Sequence, residues 1–193
     1  MNCSANHSAG AMEIAMTPTK EDVLEFWFGE PANWWKKDPA FDAEIVDRFG
    51  ELHAAIERGD HEDWRATPSG ALAYVIVLDQ FSRNMFRGTA RMFASDAQAL
   101  AAARDAVERH HDADLPADRR AFLYMPFMHS EDLADQERGV ALFEALSPGQ
   151  TKYSVAHRDI VARFGRFPHR NEILGRTSTP EELEFLTQPG SSF

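Results

Sequence analysis

The sequence predicts an all-α single domain, on three observations. Apolar residues recur at spacings of three and four, helix-start signals recur along the chain, and no alternating strand pattern stands between them. Hydrophobic residues make up 44% of 193 residues, enough for one domain with a real core.

The elements follow in order. Thr19 with Asp22 resembles a capping box, and Val23–Phe28 follows, closed by Gly29. Asp38-Pro39 is an N-cap followed by proline at the first helical position. Phe41, Ile45, Phe49, Leu52 and Ile56 then form one stripe, and Gly59 stops it. Thr67-Pro68 repeats the start signal ahead of Ala71–Leu78. That run contains Val75-Ile76-Val77 and admits a buried strand, but its continuation into Asp79–Phe86 favours a helix buried on most sides. Ser95 with Gln98 is expected to cap the next helix. Pro116–Met125 reads as a shorter helix broken by Pro126, and Ser130 as the N-cap of its successor. Tyr153, His157, Ile160 and Phe164 mark another, ended by Gly165; Pro168 is expected to begin a further helix. Thr179-Pro180-Glu181-Glu182 caps the last, Pro180–Leu186. These are about eight helices on short loops, which pack as antiparallel pairs.

No linker interrupts residues 19–187, so the expected organisation is a tail over 1–18, one helical domain over 19–187 and a C-terminal tail over 188–193. The first sixteen residues hold no Lys or Arg and no apolar stretch, unlike a secretory or transit peptide, and read as a frayed tail or as leader ahead of Met12 or Met16. The sole cysteine, Cys3, allows no internal disulfide, which suits a reducing, cytoplasmic compartment. No apolar run is long enough to span a bilayer. A net charge of -11 argues against nucleic acid as a partner. The charge is uneven: residues 151–176 set six Lys and Arg against Asp159 and Glu172. Basic patches in an acidic shell suit a small anion.

Several segments carry a family resemblance. They are Leu24–Gly29, Leu78–Asn84 with Phe86-Arg87-Gly88, Tyr124-Met125-Pro126 with His129–Asp132 and Gln136, and Arg163–Asn171 with Gly175-Arg176. In this order and spacing the chain, over roughly residues 22–187, resembles the bacterial family catalogued as domain of unknown function 924. The resemblance implies an all-helical, tetratricopeptide-like superhelical arrangement. It implies no activity and no cofactor.

Candidate chemistry gathers in three motifs. On a helix, Asp79, Arg83 and Arg87 stand one above another; the arginines form a like-charge pair that asks for an anion, supplied by a ligand or by internal acids. Arg166, His169, Arg170 and Asn171 flank an expected helix start, a good carboxylate or phosphate site, or else a corner that ties helix ends together. His129 reads as a general acid or base with Glu131 as its partner, or Ser130, Glu131 and Asp132 serve only to open a helix. His157 on an apolar face reads as a core histidine first. No histidine pair has the helical spacing of a metal site, and no phosphate loop, dinucleotide fingerprint or nucleophile elbow occurs. The expected ligand is a small anionic metabolite held by Arg83, Arg87, Arg166 and Arg170, with His129 or His169 handling protons. The rival reading is an interaction module for an acidic or C-terminal peptide.

Overall fold

Three helices begin where a capping residue precedes proline. Asp38 accepts from the Ala40 and Phe41 amides at 2.9 and 3.5 Å and opens α2 (Pro39–Glu57). Thr67 accepts from Gly70 N at 3.2 Å and opens α3 (Pro68–Val75). Thr179 and Glu182 form a reciprocal capping box at α9 (Pro180–Leu186). Each cap satisfies amides that the helix cannot, worth about 1 kcal/mol. The computed structural model describes residues 17–29, 31–147 and 151–192, and of the expected tail over 1–18 residues 1–16 lie outside them. α1 (Lys20–Gly29) starts with mutual Thr19–Asp22 bonds of 2.7 and 3.2 Å. α2 buries the whole stripe Phe41, Ile45, Phe49, Leu52 and Ile56. Gly70 is required at its place, because a Cβ there would stand 2.1 Å from the Trp64 carbonyl oxygen.

The apolar run is the central helix. α3 passes into a π-helical turn, Ile76–Phe81, and then α4 (Ser82–Met85); residues 71–82 are all buried. The wide turn has one visible consequence. The Leu78 carbonyl accepts the hydroxyls of Ser82 and Ser95, each at 2.7 Å. Ser95 therefore makes no capping bond at α5 (Asp96–Glu108), and Gln98 reaches the Ile56 carbonyl and Tyr74 hydroxyl instead, at 2.8 Å each. The expected Ser95–Gln98 cap is thus not formed: a buried carbonyl left unpaired costs more than a helix-end amide that water can reach.

Two further expectations change. α6 (Ala117–His129) runs straight through Pro126. Proline in a helix interior costs about 3 kcal/mol; here Phe122 to Met128 are all buried, and packing on every side holds the helix together. α7 (Leu133–Leu146) is capped by Asp132, which accepts from Ala134 N and Asp135 N, and not by Ser130. Glu131 is thereby kept out of the helix. α8 (Thr151–Phe164) ends at Gly165, whose φ of +67° favours glycine. Pro168 starts only a short 3-10 turn, Pro168–Arg170, so no long helix presents its N-terminus there.

Consecutive helices α5 to α8 pack on their neighbours, with short links such as 130–132 between them. One core joins α1 to α7, and a second small cluster of Ile160, Val161 and Phe167, with Phe164 and Phe185, lies under the C-terminal segment. Trp27 and Trp64 are core; Trp34 packs on Phe122, and Trp35 is largely exposed. Ser191, expected in a tail, is buried, and its hydroxyl donates to the Leu186 carbonyl. The fold is all-α, with no strand among the described residues and no helix there long and apolar enough to cross a membrane.

Candidate functional site

The π turn sets Asp79 wholly inside the protein. Its Oδ1 accepts from His129 Nδ1 at 2.7 Å and lies 3.2 Å from Arg83 Nη1, while Oδ2 accepts from Gln80 Nε2 at 2.6 Å. Arg83, one turn on, donates to the Asp79 carbonyl at 2.7 Å and to both oxygens of Asp96 at 3.0 and 3.2 Å. Asp96 is the first residue of α5 and His129 the last of α6, so three elements meet here. A fourth arrives from the C-terminal segment. Arg170 brings Nη1 to 3.6 Å from Asp96 Oδ2, and its Cζ lies 4.6 Å from the Phe93 ring centroid and 4.4 Å from that of Phe167. His157 of α8 stands beside them, its ring 6.4 Å from His129 and 5.7 Å from Phe167.

Arg170 is unlike the other arginines of these motifs. Only 7% of it is exposed, Nε is sealed from solvent, and none of its N–H groups finds a hydrogen-bond acceptor among the described residues. Two aromatic rings compensate a cation through their quadrupoles, but they accept no hydrogen bond of ordinary strength. Burial pushes its pKa down to about 10, with Asp96 opposing and Arg83 assisting, so the guanidinium stays charged at neutral pH.

The same forces fix the other protonation states. Burial alone would raise Asp79, but Arg83 and then His129 hold it below the ordinary carboxylate range. A carboxylate only accepts, so His129 must carry its proton on Nδ1, which leaves a lone pair on Nε2. Burial and Arg83 lower His129 against the pull of Asp79, and the ring is neutral near pH 7. Burial brings His157 to about 3; burial and Arg170 bring His169 to about 4. Two arginines, Arg83 and Arg170, then face two carboxylates, Asp79 and Asp96. An oriented neutral imidazole in the same ion-pair cluster as a guanidinium lacking hydrogen bonds can exchange a proton with an anion that reaches both.

The remaining sequence candidates lie elsewhere. Glu131 accepts two bonds from Arg176 at 2.6 and 2.9 Å and one from Phe167 N at 2.7 Å; it fastens the C-terminal segment, and Asp79 takes the place beside His129 that the sequence offered to Glu131. Arg87 forks onto Asp42 at 2.7 and 2.9 Å. Arg166 forks onto Glu182 at 2.6 and 2.8 Å, and these bonds hold Glu182 at about 2. Asn171 links Ser178, Glu182 and Arg176. Of the acids that meet the arginines, Asp42 and Asp96 were assigned nothing from sequence, and Glu182 only a place in the last helix's cap. Each reads locally as an ordinary first-turn acid at a helix start.

Sequence reasoning also missed a chain of Ser82, His53 and Glu57. His53 Nε2 lies 2.6 Å from Ser82 Oγ, and Nδ1 lies 3.4 Å from Glu57 Oε2. The order is that of a nucleophile, a base and its orienting acid. Ser82 is 0% and His53 1% exposed, however, and Ser82 Oγ is also bound to Ser95 and the Leu78 carbonyl. No substrate carbonyl reaches that oxygen, and the chain serves to satisfy the π turn. Among the described residues no three His, Cys, Asp or Glu side chains are placed to hold a metal ion. Depressions of about 310 and 270 Å³ open at Arg104–Arg138 and at Thr17–Trp64; neither is lined by Asp79, Arg83, His129 or Arg170.

Comparison with known proteins adds kinship. A family model described as bacterial protein of unknown function, DUF924, matches residues 23–190. The chain belongs to DUF924. All the cluster residues lie inside the part matched to DUF924. A solved structure of a protein of unknown function from Agrobacterium tumefaciens is similar, with 45% identity and a TM-score of 0.84 over 86% of this chain and 96% of that one. No curated protein matches.

Proposed function

We propose that this DUF924 protein binds a small anionic metabolite at Arg170 and moves a proton to or from it through His129, with Asp79 orienting the imidazole and Arg83 and Asp96 fixing the frame. One observation carries the reading: a guanidinium more than nine-tenths buried has no hydrogen-bonded acceptor among the described residues. Arginines that only brace a fold are hydrogen-bonded to their acids, because a buried N–H group left without an acceptor costs free energy. Arg87 and Arg166 are paired in this way. A peptide partner requires an open groove. The side chains of Asp79, Arg83, Asp96, His129 and Arg170 are between 0% and 19% exposed, which favours a small ligand.

The test is thermal unfolding against carboxylated and phosphorylated metabolites, with Arg170→Met in parallel. A ligand at a hundred times its Kd stabilises by about 2.7 kcal/mol. The reading requires a selective rise in Tm that disappears in the variant. A rise of equal size in Arg170→Met would remove Arg170 from the site.

A further inference from the structure

We infer that the ligand class is a small monocarboxylate, bound by the Arg170 guanidinium together with one proton taken up on His129 Nε2. The inference rests on the anion-binding reading above and names its chemistry.

The carboxylate follows from shape and charge. Arg170 packs against the Phe93 and Phe167 rings, whose centroids are 4.6 and 4.4 Å from Cζ. The N–H groups, in the guanidinium plane, make no hydrogen bond to an acceptor among the described residues, and Asp96 Oδ2 stands 3.6 Å from Nη1. Bonds in that plane suit a flat acceptor with two oxygens, which is the geometry of a carboxylate on an arginine fork. The fixed charges already balance, Arg83 and Arg170 against Asp79 and Asp96, and Glu131 is paired with Arg176. An incoming monoanion therefore leaves one uncompensated negative charge in a poorly solvated place, and a phosphate dianion leaves two.

The proton follows from which group can balance that charge. Asp79 faces His129 from the central helix at 2.7 Å, Arg83 and, from α5, Asp96 act on it electrostatically, His157 stands beside it from α8, and Arg170 of the C-terminal segment meets the same Asp96. Asp79 and Asp96 are held by arginine, and His157 directs Nδ1 to the Tyr153 carbonyl at 2.7 Å. His129 has Nδ1 committed to Asp79, no hydrogen bond on Nε2 among the described residues, and 15% of its side chain accessible. Protonation there creates an imidazolium already paired with Asp79, and it restores neutrality once the carboxylate has bound.

The experiment is NMR of the full chain with ¹⁵N-labelled arginine and histidine, titrated with sodium acetate and separately with inorganic phosphate from pH 6.5 to 8.5. Acetate should move the Arg170 Nε–H resonance and shift the His129 ring nitrogens to the imidazolium pattern. Its Kd should rise about tenfold per pH unit above the His129 pKa of the free protein. In His129→Gln, whose amide can still donate to Asp79, the Kd should no longer depend on pH. Acetate binding at Arg170 with a neutral His129 and a flat Kd overturns the proton uptake and leaves the anion site standing. Phosphate binding without acetate binding overturns the carboxylate class and also leaves the anion site. An Arg170 resonance unmoved by either anion overturns this inference and the proposed function together.

Discussion

Arg166 and Arg170 stand four residues apart in one basic motif and end in opposite circumstances. Arg166 meets Glu182 with two bonds and the Thr177 carbonyl with a third, and Glu182 in turn closes the Thr179 capping box. Every group there is accounted for within the protein. Arg170 is buried against two rings, 3.6 Å from a carboxylate oxygen that already serves Arg83, with none of its N–H groups hydrogen-bonded among the described residues. Two arginines with the same local sequence setting thus divide into one whose guanidinium is hydrogen-bonded within the protein and one whose guanidinium makes no hydrogen bond among the described residues. Satisfaction of hydrogen bonds tells them apart, and the number of nearby charges does not.

Several substitutions sharpen that contrast. The largest effect should come from Asp79→Ala. It leaves His129 without its acceptor and takes one of two carboxylates from the buried arginines, and urea unfolding should show a loss of about 3–5 kcal/mol. Stability within 1 kcal/mol of wild type would mean that the cluster does not hold the helices. Glu131→Ala should cost about 1–2 kcal/mol, because Arg176 keeps other acceptors and the pair is partly solvated. Hydrogen exchange should quicken at the Phe167 amide, which Glu131 now accepts, and not in α2.

The acid response separates the two regions by pH. His157 and His169 have folded pKa values lowered to about 3 and about 4, so below about pH 6.5 the unfolded chain takes up protons that the folded one refuses. Stability should be full above that pH and decline below it, by up to about 1.4 kcal/mol per pH unit for each histidine. Glu131 and Glu182 have lowered values, so their contribution is lost only as pH falls below the ordinary carboxylate range. His157→Asn should flatten the slope between pH 6.5 and 5 by about one proton; an unchanged slope would place the titrating groups elsewhere. The smallest effect should be that of Arg87→Ala, no more than about 1 kcal/mol, since a surface pair returns to water readily. Salt should remove most of that difference.

Local signals carried much of the fold. Asp38-Pro39, Thr67-Pro68 and Thr179-Pro180 each mark a helix start, and the α2 stripe is the buried face, because these features depend only on near neighbours in sequence. Elements governed by distant partners were not legible. Ser95 turns to the Leu78 carbonyl because a π turn lies seventeen residues earlier in the chain. Pro126 stays helical because α6 is enclosed by other helices. At the site, His129, Asp79, Arg83 and Arg170 were singled out, but the acid beside His129 comes from fifty residues away and not from Glu131. Asp96, which joins Arg83 to Arg170, carries no local mark of that role.

The central claim is that Arg170 is kept for a ligand and not for stability. Its most direct test is equilibrium urea unfolding of wild type and Arg170→Met at pH 7, each with and without acetate. Methionine keeps contact with Phe93 and Phe167 and removes the unbonded cation, so without acetate the variant should be as stable as wild type or more so. Acetate should then stabilise only the wild type. A loss of about 3 kcal/mol or more in the variant without acetate, with no acetate effect on either protein, would make Arg170 a structural brace like Arg166 and contradict the account.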